Sequence, residues 1–120
     1  MSIDIVEQVF KAVLARFAYL ADLEQYGELE HWELPAGVEL LGDCEDFALA
    51  CRAALRVAGV GDTRLVVCRD ETGAGHCILE WHGWVLDNRQ SAVVRREDLP
   101  YRWIKISGYA PGDAWHEIIN

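Results

Sequence analysis

Apolar residues early in the chain recur at spacings of one, three and four: Ile5, Val6, Val9, Phe10, Val13, Leu14 and Phe17. That period predicts an amphipathic helix with its stripe turned inward, capped by Ser2 and running to about Leu23. Tyr26-Gly27 closes it, and Glu28 to Leu41 reads as an irregular acidic connection holding Trp32 and Pro35-Ala36-Gly37. A second helix is predicted from Asp43 to Ala58, with Asp43 as N-cap, Asp46 in a capping-box position and Gly59 as the stop. Cys44, Ala48, Cys51, Leu55 and Ala58 share one face and Ala50 and Ala54 flank it. This helix therefore reads as apolar over most of its circumference and central to the fold.

After Gly59-Val60-Gly61 the period changes. Arg64 to Arg69 is rich in β-branched residues and reads as a strand, with Asp70 to Gly75 as its turn. His76 to Trp81 and Trp84 to Asn88 are predicted strands separated only by His82-Gly83, a tight hairpin. Val93-Val94 and Tyr101 to Ile106 indicate one or two more strands before a tail containing Gly108 and Trp115. Helices first and strands afterwards predict an α+β fold in which the Cys-bearing helix packs on a small antiparallel sheet.

A two-residue turn fixes the hairpin by arithmetic: Trp81 opposes Trp84, Leu79 opposes Leu86 and Ile78 opposes Asp87. Alternation then puts His76, Ile78 and Glu80 on one face with Val85, Asp87 and Arg89, and leaves Cys77, Leu79, Trp81, Trp84 and Leu86 on the other as core. His76 and Asp87 become diagonal neighbours, roughly 7–8 Å apart at the backbone and within side-chain reach.

Cys44 sits where a helix begins, so the helix dipole and unpaired amides favour its thiolate, and its own amide can stabilise an oxyanion. With His76 as its base and Asp87 fixing the imidazole, the three residue types of a thiol-based acyl-transfer site occur together. Asp43, Glu45 and Asp46 oppose this, because like charge beside a thiolate raises its pKa. A hard cation such as Ca²⁺, held by their oxygens, would neutralise that charge.

At 120 residues and 52% hydrophobic content the chain suits one domain, residues 1–120, with a real core. The net charge of −9 lies in residues 1–50, which hold 11 acidic and 2 basic side chains, and nucleic acid is therefore not an expected partner. Met1-Ser-Ile-Asp-Ile5 lacks a basic leader, no apolar run reaches the roughly 18–20 residues that span a bilayer, and no membrane partner is expected. Four cysteines without a CxxC pair read as reduced thiols in a cytoplasmic setting, with a virion-associated place as the alternative.

Phe17 to Gly27, Trp32, Gly42-Asp43-Cys44-Glu45-Asp46-Phe47-Ala48, Gly75-His76-Cys77-Ile78-Leu79 and Leu86-Asp87-Asn88 together resemble the bacterial transglutaminase-like cysteine peptidases, a family of the wider papain-like and transglutaminase fold. The resemblance implies Cys44, His76 and Asp87 as a catalytic triad and Asp43, Glu45 and Asp46 as calcium ligands. The family includes periplasmic proteases that release surface adhesins and is similar to small phage and prophage proteins. This chain is shorter than the periplasmic enzymes and carries Cys77 where an ordinary apolar residue is expected after the histidine, so the adhesin substrate is not carried over.

The expected function is a cysteine hydrolase that cuts a peptide or isopeptide bond in a protein substrate through a thioester. A transglutaminase or amidase would use the same triad with another second nucleophile. A different class of reading is a non-catalytic phage or assembly module whose cleft binds a protein. Cys51, Cys68 and Cys77 read as core, and His31, His82 and His116 as surface or turn residues. No spacing marks a zinc site, and Trp32 is either a cleft and oxyanion residue or a packing aromatic.

Overall fold

The computed structural model describes residues 3–26, 44–110 and 112–118, with side chains of the first helix described to residue 17. Helix α1 spans Ile3–Tyr26 and α2 spans Cys44–Val57. Six strands follow: β1 Arg64–Arg69, β2 Gly75–Trp81, β3 Trp84–Leu86, β4 Val94–Arg95, β5 Arg102–Ile106 and β6 His116–Glu117. They form one antiparallel sheet in the order β4-β3-β2-β1-β5-β6. The predicted α+β architecture, a Cys-bearing helix on a small antiparallel sheet, is the one observed. No helix among the described residues is long and apolar enough to cross a membrane.

The α1 stripe turns inward as its period dictates: Val6 and Phe10 are fully buried, and Val9, Val13, Leu14 and Phe17 pack around them. Ile5 departs from the expectation and is 37% exposed. A helix advances about 100° per residue, which carries Ile5 off the line through Val6, Phe10 and Phe17. Helix α1 also continues to Tyr26, one turn beyond Leu23.

Helix α2 lays Phe47, Ala48, Cys51 and Leu55 against Cys77, Leu79, Trp81 and Leu86 of the hairpin, so the central helix and the predicted core face meet. Its outer side is more exposed than its composition implied, with Leu49 and Val57 reaching solvent. Gly59 stops the helix at φ +91°, with the Gly59 amide donating to Arg56 O and the Val60 amide to Leu55 O. That pair of reversed bonds needs a left-handed residue, which glycine adopts without a Cβ clash. The Ser2 and Asp43 caps lie outside the described residues, as does the connection holding Trp32.

The hairpin has the expected register, Trp81 opposite Trp84, Glu80 opposite Val85 and Leu79 opposite Leu86. His82 (φ 49°) and Gly83 (φ 85°) are both left-handed, the turn whose twist matches its strands. Strand β3 ends at Leu86 and does not reach Asn88, because the Asp87 carboxylate accepts the Arg89 amide at 3.0 Å and Asp87 O accepts the Gln90 amide at 3.0 Å, turning the chain. The far side of the sheet carries its own core of Val66, Cys68, Ile78, Val85 and Trp103, against which Leu99, Tyr101 and Ile118 pack.

Candidate active site

Cys44 is the first residue of α2 and is half-buried. Its place is set by Phe47, one turn on, which is 1% exposed and meets Phe10 and Phe17 edge-on at centroid distances of 5.8 and 5.3 Å. The Cys44 Sγ accepts a hydrogen bond from the Cys77 amide at 3.3 Å. The sulfur thus meets a backbone donor from β2 at the first residue of α2. The contact uses the main chain of Cys77, so it needs nothing of that side chain.

His76 and Asp87 arrive from the adjacent strand and the end of β3. The His76 Nε2 lies 2.7 Å from Asp87 Oδ1, and the two side chains are 1% and 0% exposed. Tyr101 Oη donates to Asp87 Oδ2 at 2.6 Å, the Arg89 amide donates to Oδ1, and the Tyr101 ring stands edge-on to His76 at 5.4 Å. Burial alone would push the Asp87 carboxyl up, but the bonds from His76, Tyr101 and Arg89 outweigh it and hold the group below its usual range. Burial, and then the bond to Asp87 and its charge, push Tyr101 up to about 12, so its hydroxyl stays a donor.

An ionised Asp87 must accept from His76, which places the imidazole proton on Nε2 and leaves Nδ1 as the bare nitrogen. Nδ1 is buried and has no hydrogen-bond partner among the described residues. His76 and Cys44 line one cleft of about 580 Å³ with Glu45, Leu65, Val67, Gly75, Cys77, Lys105 and Trp115. No hydrogen bond joins Cys44 to His76.

Sequence reasoning missed three contributors. Tyr101 precedes β5, which pairs with β1 rather than with the hairpin, so its reach to Asp87 depends on a non-local strand order. Asp70 and Arg89 form the second link: Asp70 Oδ1 accepts the Thr72 and Ala74 amides at 2.8 and 3.0 Å, while its Oδ2 meets Arg89 Nη1 at 2.7 Å. The bonds from Thr72 and Arg89 hold the Asp70 carboxyl well below the usual range. This bridge ties the β1–β2 turn, which leads into His76, to the turn after β3, which carries Asp87.

Of the carboxylates next to Cys44, Glu45 is exposed and Asp46 half-buried on the first turn of α2, and Asp43 lies outside the described residues. Among the described residues no group of three or more metal-ligating side chains is gathered. The donor set is all oxygen, which suits a hard cation such as Ca²⁺ and not a thiophilic one. Burial pushes Cys51 up to about 12, and burial with the nearby Asp87 charge pushes Cys68 up to about 12, so neither ionises near neutrality.

Tyr101→Phe is expected to cost about 1–2 kcal/mol of stability in urea unfolding, since it strips one donor from a buried carboxylate. The Asp87 carboxyl is expected to titrate at higher pH in the variant, which carbon NMR of that group reads directly.

The fold has solved counterparts. Legionella pneumophila LapG matches with a TM-score of 0.62 at 16% identity, covering 96% of this chain and 73% of that one. Its calcium-bound form matches with a TM-score of 0.57 at 20% identity, covering 69% of this chain and 52% of that one, so the chain spans about half of that structure. The EGTA-treated form gives a TM-score of 0.59 at 16% identity over 96% of this chain. No curated protein sequence matches. The profile of the bacterial transglutaminase-like cysteine proteinases (BTLCP) matches residues 1–120, and the chain belongs to that family.

Proposed function

We propose that this protein hydrolyses a peptide or isopeptide bond in a protein substrate through Cys44, His76 and Asp87. The observation that carries the reading is the bare, buried Nδ1 of His76. It has no partner among the described residues, the His76 side chain lines the cleft of Cys44, and Asp87 fixes the opposite ring nitrogen.

In this mechanism Nδ1 of His76 takes the Cys44 thiol proton, the resulting thiolate adds to the substrate carbonyl, and the Cys44 amide at the helix start stabilises the oxyanion. His76, protonated at Nδ1, gives its proton to the leaving amine, and a thioester forms on Cys44. Water then adds to the thioester as Nδ1 takes its proton, the carboxylic acid departs, and the thiolate returns. Asp87 stabilises the imidazolium in both halves, and Tyr101 and the Arg89 amide hold Asp87 in place.

Asp43, Glu45 and Asp46 would hold Ca²⁺, whose charge offsets the carboxylates next to the thiolate. The oxygen-only donor set and the calcium-bound and EGTA-treated forms of Legionella pneumophila LapG support this reading. Titration calorimetry of metal-stripped protein is expected to show calcium binding that Glu45→Gln weakens, and no heat at millimolar calcium would contradict it.

Hydrolysis itself is tested by incubating a proteome-derived peptide mixture with wild type and with Cys44→Ala and sequencing the new N-termini. Wild type is expected to create a defined set that the variant does not. Identical N-termini in both samples would remove the hydrolase reading.

A further inference from the structure

Resting on the hydrolase reading, we infer that the cleft selects an extended peptide with an aliphatic side chain beside the scissile bond and an acidic side chain about three residues away, met by Lys105.

The sheet register lays out this groove. Cys77 stands opposite Val67, Val67 opposite Lys105, and Lys105 opposite Glu117, forming a row that crosses four strands on the face of Cys44. Helix α2 covers the β2 end of the row through Phe47 and Leu55, while Val67 remains 37% exposed and Lys105 is open to solvent. Leu65 and Trp115 border the same cleft, and Trp115 is 42% exposed. The groove thus has an aliphatic floor next to the thiol, an aromatic wall and a cation at its far end.

Lys105 faces this groove because of an irregularity in the ladder. Val67 pairs with Lys105, but the next residue, Cys68, pairs with Trp103, so β5 carries one extra residue between them. A bulge of this kind re-aims side chains. Trp103 enters the opposite core with Cys68, while Lys105 is left on the cleft side. Without the bulge, strand alternation would put Lys105 and Trp103 on one face.

Neighbouring strands lie roughly 4.8 Å apart, so Lys105 stands about 10 Å from Cys77, a span that three residues of extended peptide cover. Strand β1 is paired on both sides, so it offers no backbone edge and selection falls to side chains. Lys105 has no ion pair among the described residues, although Glu117 stands opposite it. It is also the one lysine or arginine that lines the cleft among the described residues. Glu45 lines the end of the cleft next to the thiol and Glu117 stands across from Lys105, so the ammonium of Lys105 marks the one position along the groove where a peptide carboxylate is met by a lysine.

The test is affinity selection of a randomised decapeptide library on immobilised Cys44→Ala protein, alone and combined with Lys105→Glu or Lys105→Arg. The Cys44→Ala protein is expected to enrich Asp or Glu about threefold to tenfold at a fixed spacing of about three from an aliphatic residue. Lys105→Arg is expected to keep that enrichment. Lys105→Glu is expected to replace it with Lys or Arg while the aliphatic preference stays. Absence of an acidic preference, or one unchanged by Lys105→Glu, overturns the inference. Because the selection uses an inactive protein, its result is independent of the cleavage experiment, and failure of one is distinguishable from failure of the other.

Discussion

Asp87→Ala is expected to lower turnover by about three orders of magnitude or more and to cost about 3–5 kcal/mol of stability. Asp87 is fully buried and receives His76, Tyr101 and the Arg89 amide, so its removal orphans three donors at once. The imidazole then loses both the acceptor that fixes its proton on Nε2 and the charge that stabilises its cationic form. The two losses separate experimentally, because activity is read at saturating substrate on folded protein and stability by urea unfolding. The sign of the pH dependence follows from the lowered carboxyl. The unfolded group titrates near pH 4 and the folded one below it, so the stabilisation is fully present above about pH 4 and is lost as pH falls through the folded value. The stability gap between wild type and variant is therefore expected to narrow below about pH 4.

Phe47→Ala is expected to destabilise the protein by about 3–5 kcal/mol, the largest effect for a residue outside the polar network. Phe47 is 1% exposed and joins α1 to α2 through its contacts with Phe10 and Phe17. Truncation opens a cavity where the two helices meet the hairpin, one turn from Cys44. Phe47→Leu keeps most of the volume and is expected to recover more than half of the loss. Urea midpoints of the three proteins check this, with unchanged slopes expected if the unfolded state is unaffected.

The elements legible in the sequence are those governed by local rules. The His82-Gly83 turn fixes a register, and alternation from that register brings His76 to Asp87, a contact present at 2.7 Å. Gly59 and the apolar face of α2 likewise follow from short-range chemistry. Tyr101 and Lys105 were not legible, because both depend on β5 pairing with β1 across 30 or more residues and on a bulge that no local pattern announces. The second core behind the sheet was missed for the same reason: Val66, Ile78 and Trp103 meet only once the strand order is known. The amide of Cys77 was hidden differently, since a backbone donor leaves no mark on residue type.

We propose that Cys44 is an activated nucleophile under the control of His76. The most direct measurement is site-resolved labelling with iodoacetamide at about pH 6. Cys51 and Cys68, with thiols pushed up to about 12, are expected to stay unmodified. Cys44 is expected to label rapidly, and His76→Ala is expected to slow it tenfold or more. Labelling of Cys44 at the slow rate of an ordinary thiol, with no response to His76→Ala, would contradict the account.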